Sequence, residues 1–137
     1  MPAHLALVNP PTLERPLGYA HAVEVRSGRL LAIAGQIAHD RNGTMVGPND
    51  LIAQFRQVCQ NLKDIVEAAG GRLTDLARLT MFVVDVEDYK RKQEPLGVVY
   101  REFFGKHFPA MTVVEVRKLY VSNEGGLIEI QAEAALP

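Results

Sequence analysis

Three residues of this 137-residue chain combine useful chemistry with a suggestive setting: Glu129, Tyr19 and Gly35. Glu129 stands in Leu127-Ile128-Glu129-Ile130-Gln131-Ala132, an alternating stretch that reads as a strand and fixes the carboxylate on one face. A carboxylate held in an apolar cleft has its pKa pushed toward neutrality and can orient water or take its proton. The plainer reading is a solvated sheet position paired with Arg117 across a hairpin. Tyr19 lies in a breaker-rich loop, where its phenol can close a cleft and hydrogen-bond a ligand, or simply pack. Gly35 can present a backbone N–H to an anionic group, or mark a bulge or close strand approach. His21, His39 and His107 stand at no metal-ligand spacing with one another or with Cys59, so no metal site is expected. Cys59, on the shoulder of a helix, reads as core. Lys90, Arg91 and Lys92 read as a solvated face, with an anion contact at a cleft as the alternative.

Composition bounds these roles. The length fits one domain over 1–137, because domains of about 100–150 residues are the commonest. Net charge is −1 with acids and bases interspersed, which argues against nucleic acid or an anionic membrane as partner. A single cysteine permits no internal disulfide and fits a reducing compartment. The start, Met1-Pro2-Ala3-His4-Leu5, has neither the basic flank nor the apolar core of a signal peptide, and no run approaches the roughly 20 apolar residues of a membrane helix. A cytoplasmic protein is expected.

The elements that must position the candidates follow from periodicity. Leu5–Val8 is a short strand, Ala20–Arg26 a second, and Leu30–Ile37 a nearly continuous apolar third, as for a strand covered on both faces. Ser27-Gly28-Arg29 between the last two is a hairpin signal. From Asp50 the period becomes helical, with Leu51, Phe55, Val58, Leu62 and Ile65 on one face, Asn49 or Asp50 as cap, and Gly70-Gly71 as stop. Leu76–Val84 is a strand, Asp85–Tyr89 about one helical turn, and Leu96–His107 a second amphipathic helix with Pro95 in its first turn. The stretches His107–Val116, its strand opening after Pro109, and Leu127–Ala132 close the chain as an expected antiparallel pair. Met111, Val113, Glu115 and Arg117 share a face of the first, and Glu129, Gln131 and Glu133 a face of the second. The order predicts an α+β fold, a mixed sheet with two helices packed on one face. The apolar runs at 30–37 and 76–84 suggest that other copies cover the second face.

Nearly the whole chain resembles the reactive-intermediate deaminase (Rid) family, often labelled endoribonuclease L-PSP-like. The resemblance is carried by Gly18-Tyr19-Ala20-His21-Ala22, Ala34-Gly35-Gln36-Ile37, Gln54, Asn61-Leu62, Ala68-Ala69-Gly70, Asp75, Thr80, Phe82, Tyr100 and Phe103-Phe104. Most specific is the spacing from Pro109-Ala110 through Val114, Arg117 and Leu119 to Ile128-Glu129-Ile130. It implies a chorismate-mutase-like fold, a homotrimer with clefts between subunits, and hydrolysis of enamines and imines of small metabolites to keto acids and ammonia without a cofactor. It also implies Glu129 as catalytic residue and Tyr19, Ala34, Gly35, Met111 and Val113 as substrate contacts.

The chain departs from the family pattern at the ligand contacts. Met111 stands where active deaminases carry an arginine that grips the substrate carboxylate. Ala34 replaces a serine, Gly97 an asparagine, and Val113 a cysteine. A guanidinium binds a carboxylate through two charge-assisted bonds, whereas a thioether offers a weak acceptor and apolar bulk. The expected function is therefore hydrolysis of an imine- or enamine-type metabolite with altered specificity. A non-catalytic trimer that binds a small ligand or a protein partner is the alternative. Ribonuclease activity is weaker still, with only the family label behind it.

Overall fold

A computed structural model describes residues 1–137. The chain forms the α+β layout expected, a mixed sheet with its helices against one face. In chain order the elements are β1 (Leu5–Val8), β2 (Ala22–Val25), β3 (Arg29–Gln36), α1 (Leu51–Ala68), β4 (Leu76–Val83), α2 (Val86–Arg91), α3 (Gln93–Phe104), β5 (Ala110–Glu115) and β6 (Ile128–Leu136). Short 3-10 turns at Leu73–Asp75 and Ser122–Glu124 complete it.

Helix α1 starts where Asp50 caps it, its carboxylate accepting from the Ala53 N–H at 3.1 Å, and stops at Gly70, whose φ of 92° is easy only for glycine. Its inner face buries Leu51, Phe55, Val58, Cys59, Leu62 and Val66 against the sheet and α3. Each such aliphatic side chain contributes about 1.5–3 kcal/mol of burial. Gln54 lies wholly buried among them and is fully used. Its Nε2 donates to the carbonyls of Gly47 (2.9 Å) and Gly125 (2.7 Å), and its Oε1 accepts from the Leu127 N–H (2.7 Å).

Two expected hairpins do not form. The main sheet runs β3-β6-β4-β5, so β6 lies between β3 and β4, antiparallel to both, while β5 pairs with β4 in parallel. Parallel neighbours need a crossover, and α2 with α3 supply it between β4 and β5. β6 takes the centre because Ile128, Ile130, Ala132 and Ala134 are its deeply buried face and its nine residues can satisfy a partner on each side. Arg117 and Glu129 consequently form no cross-strand pair.

Likewise β2 does not pair with β3 but with β1, in a separate antiparallel ribbon. The chain changes sheets at Arg26–Gly28. The Arg26 N–H donates to the His4 carbonyl, and Gly28 (φ 115°) passes so near β6 that a Cβ would stand 2.3 Å from the Leu136 oxygen. β3 is therefore an edge strand covered on one face within the chain, where Ile33 is buried. Leu30, Ala32 and Ala34 are exposed, Leu30 by 75 %.

Candidate functional site

The sheet carries the candidate residues on its two opposite faces. On the helix side, Met111 is in register with Leu79 and Val113 with Met81, so all four share the sheet face that the helices cover. The Ala20 N–H donates to the Pro109 carbonyl at 3.0 Å, and Ala20 bridges Ala110, which brings the loop carrying Tyr19 beside Met111. Between that loop, β5 and α3 lies a cavity of about 610 Å³, lined by Tyr19, Met81, Gly97, Arg101, Met111 and Val113. Phe55, Tyr100 and Phe108 add aromatic walls; Tyr100 stacks on Phe104 and Phe108 with centroids 4.4 and 5.4 Å away. Tyr19 meets the His21 ring edge-on at 5.5 Å.

On the opposite face, Glu129 is in register with Phe82 and points away from the helices. Its carboxyl group lies over Gly35, where a Cβ would stand 2.1 Å from Oε2 and 2.9 Å from the carboxyl carbon. β3 has one residue more than β6 between Ile33 and Gln36, so a bulge at Ala34-Gly35 makes this close approach. Both structural readings of Gly35, bulge and close approach, hold. Glu129 is half-buried and joins none of the chain's ion pairs.

One chain therefore assembles Tyr19, Met111 and Val113 at a cavity, and Ala34, Gly35 and Glu129 on the other side of the sheet. It does not bring Glu129 beside Met111. Arg101 was missed by sequence reasoning. Its guanidinium folds back one helical turn over Gly97, with Nη1 3.2 Å from where a Cβ there would sit. The only trace in the sequence is the spacing of four between a helical glycine and an arginine.

The remaining candidates have structural partners. Lys90 approaches Glu87, and Arg91 and Lys92 both approach Asp88, Lys92 at 3.0 Å. His21 hydrogen-bonds the Glu14 carbonyl, His39 the Glu124 carboxylate and His107 the Leu76 carbonyl, in three separate places. Desolvation pushes the buried Cys59 thiol up to about 12, so it stays un-ionised. Burial also raises the Tyr89 and Tyr100 phenols. Tyr100 spends its proton on the His107 carbonyl at 2.6 Å, and Tyr89 points its own at the Met81 sulfur. No helix is long and apolar enough to cross a membrane.

The family model described as Endoribonuclease L-PSP matches residues 12–136. A RutC family protein of Pyrococcus horikoshii is 39 % identical over 121 residues, 88 % of this chain and 89 % of that one. The protein named 2-iminobutanoate/2-iminopropanoate deaminase of Escherichia coli is 35 % identical over 119 residues, covering 84 % and 85 %. Among solved structures, a Rid-family protein of unknown function from Yersinia pestis superposes with a TM-score of 0.85 at 36 % identity, covering 97 % of this chain and 99 % of that one.

Proposed function

This chain belongs to the endoribonuclease L-PSP or Rid family and has its chorismate-mutase-like fold, and from that premise we propose that it hydrolyses an imine- or enamine-type metabolite at a site shared between two copies. The observation that carries this reading is the unpaired Glu129 carboxylate, held over Gly35 on a face the single chain leaves open. Water adds to the C=N carbon while Glu129 takes its proton. The same carboxyl returns that proton to nitrogen, then carries the hydroxyl proton of the resulting amino alcohol to nitrogen as well, so that the C–N bond breaks, ammonia leaves and the C=O forms. Imine plus water gives carbonyl compound plus ammonia, so neither oxidant nor cofactor is required.

Glu129 and the cavity occupy opposite faces, so joining them takes two copies in a heterologous, head-to-tail contact. Such a contact repeats, and it closes into a ring when its rotation divides a full turn. A homotrimer is the ring the family resemblance implies. Exposed Leu30, Val25 and Val114 are the apolar residues such a contact would cover. The single cysteine, buried and reduced, suits a cytoplasmic setting.

Ammonia release from imines generated from amino acids by an oxidase tests the reading. Wild type should exceed the spontaneous rate, and Glu129→Ala should return it to that rate, a loss of about 10²–10⁴-fold. Met111→Arg should improve turnover of small 2-imino acids. No turnover by any variant would favour the second reading, a ligand-binding trimer, which the apolar lining around Met111 supports. Ribonuclease chemistry gains nothing from a net charge of −1.

A further inference from the structure

We propose that Arg101 is this chain's anion grip, and that the cavity takes ligands carrying a carboxylate on a bulky, aromatic body. This deepens the site reading above and rests on the cavity being half of a ligand site.

Three observations carry it. First, the Arg101 guanidinium borders the cavity and lies across Gly97, Nη1 and Cζ standing 3.2 and 3.9 Å from where a Cβ would be. Glycine inside a helix is destabilising, and here its missing side chain clears the place the guanidinium occupies. Second, no carboxylate answers Arg101. Its neighbour Glu102 is gripped from α1 by Arg56, Nη1–Oε2 2.5 Å and Nη2–Oε1 3.2 Å, and Asp88 is held by Arg91 and Lys92. An arginine in the last turn of a helix ordinarily complements the helix dipole, but that role needs no cavity beneath it. Third, about 610 Å³ far exceeds what a three-carbon acid fills. Its walls are Phe55, Tyr100 and Phe108, and Met81 and Met111 offer sulfur contacts that suit an aromatic ring. The cation has moved from β5 to α3, and the space that an arginine at 111 would fill is left to the ligand body.

Equilibrium titration of the full chain with phenylpyruvate, pyruvate and phenylacetone tests this without turnover. Phenylpyruvate should bind at least about tenfold tighter than pyruvate, which lacks the ring, and than phenylacetone, which lacks the carboxylate. Arg101→Gln should remove that preference for the acid and leave phenylacetone binding unchanged. Arg101 makes no bond that holds the fold, so the variant should melt with wild type. Gly97→Ala should raise Tm yet weaken phenylpyruvate binding, because the added methyl displaces the guanidinium. Equal affinity for phenylacetone and phenylpyruvate, no effect of Arg101→Gln, or no binding of any probe would overturn the proposal. Arg101-dependent binding without Glu129-dependent ammonia release would sink the hydrolase and keep the grip. Glu129-dependent release indifferent to Arg101→Gln would do the reverse.

Discussion

One methyl group at Gly35 is enough to move the proposed base. Gly35→Ala places a Cβ where Oε2 and the carboxyl carbon of Glu129 now lie, and the flexible side chain gives way before the backbone does. Ammonia release should therefore fall by about 10²-fold or more, as for Glu129→Ala, while Tm stays near that of wild type. A variant of full activity would detach Gly35 from the site. His107 makes a separate forecast. Its Nε2 pairs with the Leu76 carbonyl at 2.7 Å, Nδ1 is buried without a partner, and burial lowers its pKa below the ordinary 6.5. The unfolded chain then binds the proton more readily than the fold does. Stability is full above about pH 6.5 and is lost as pH falls from there toward the folded value. Urea midpoints between pH 8 and pH 5 should drop for wild type and drop less for His107→Gln; equal drops would contradict the assignment.

At the scale of elements, Gln54 is the joint between α1 and the loops at 47 and 125–127. Gln54→Ala leaves the Leu127 N–H without its partner and takes one of two donors from each of the Gly47 and Gly125 carbonyls, which keep the Asp50 and Asn49 N–H groups; it should cost about 1–3 kcal/mol, read as a lower urea midpoint. The elements themselves were legible. Periodicity gave α1, α3 and every strand, because burial of one stripe or face writes itself into spacing. Strand pairing was not legible. Gly28 and Gly125-Gly126 look like hairpin turns, but the first serves a change of sheet and the second ends a 3-10 turn before β6 crosses to the centre. Local turn chemistry reports that the chain reverses, and long-range packing decides which strand it meets. The hairpin reading paired Glu129 with Arg117 and hid the fact that Glu129 and Met111 face opposite ways. Arg101 was invisible for a similar reason. Its proposed role depends on an absent side chain one turn away and on a cavity that only the folded chain defines.

On the proposed reading, the two faces of the sheet carry unlike halves of one site, which a second copy unites. Because the proposed contact is head-to-tail, variants that damage only one half should complement each other. Mixed assemblies of Glu129→Ala with Val113→Trp should recover roughly a quarter of wild-type turnover, the share of random contacts that keep both halves intact. The direct test of the shared site needs no substrate. A Glu129→Cys, Met111→Cys double variant, treated with a short bismaleimide, should give linked chains ending at three in denaturing electrophoresis. Cys59 stays out of the reaction, being buried and un-ionised. Linked trimers, absent from either single variant, are the result the account predicts; chains that remain single while the introduced cysteines react would contradict it.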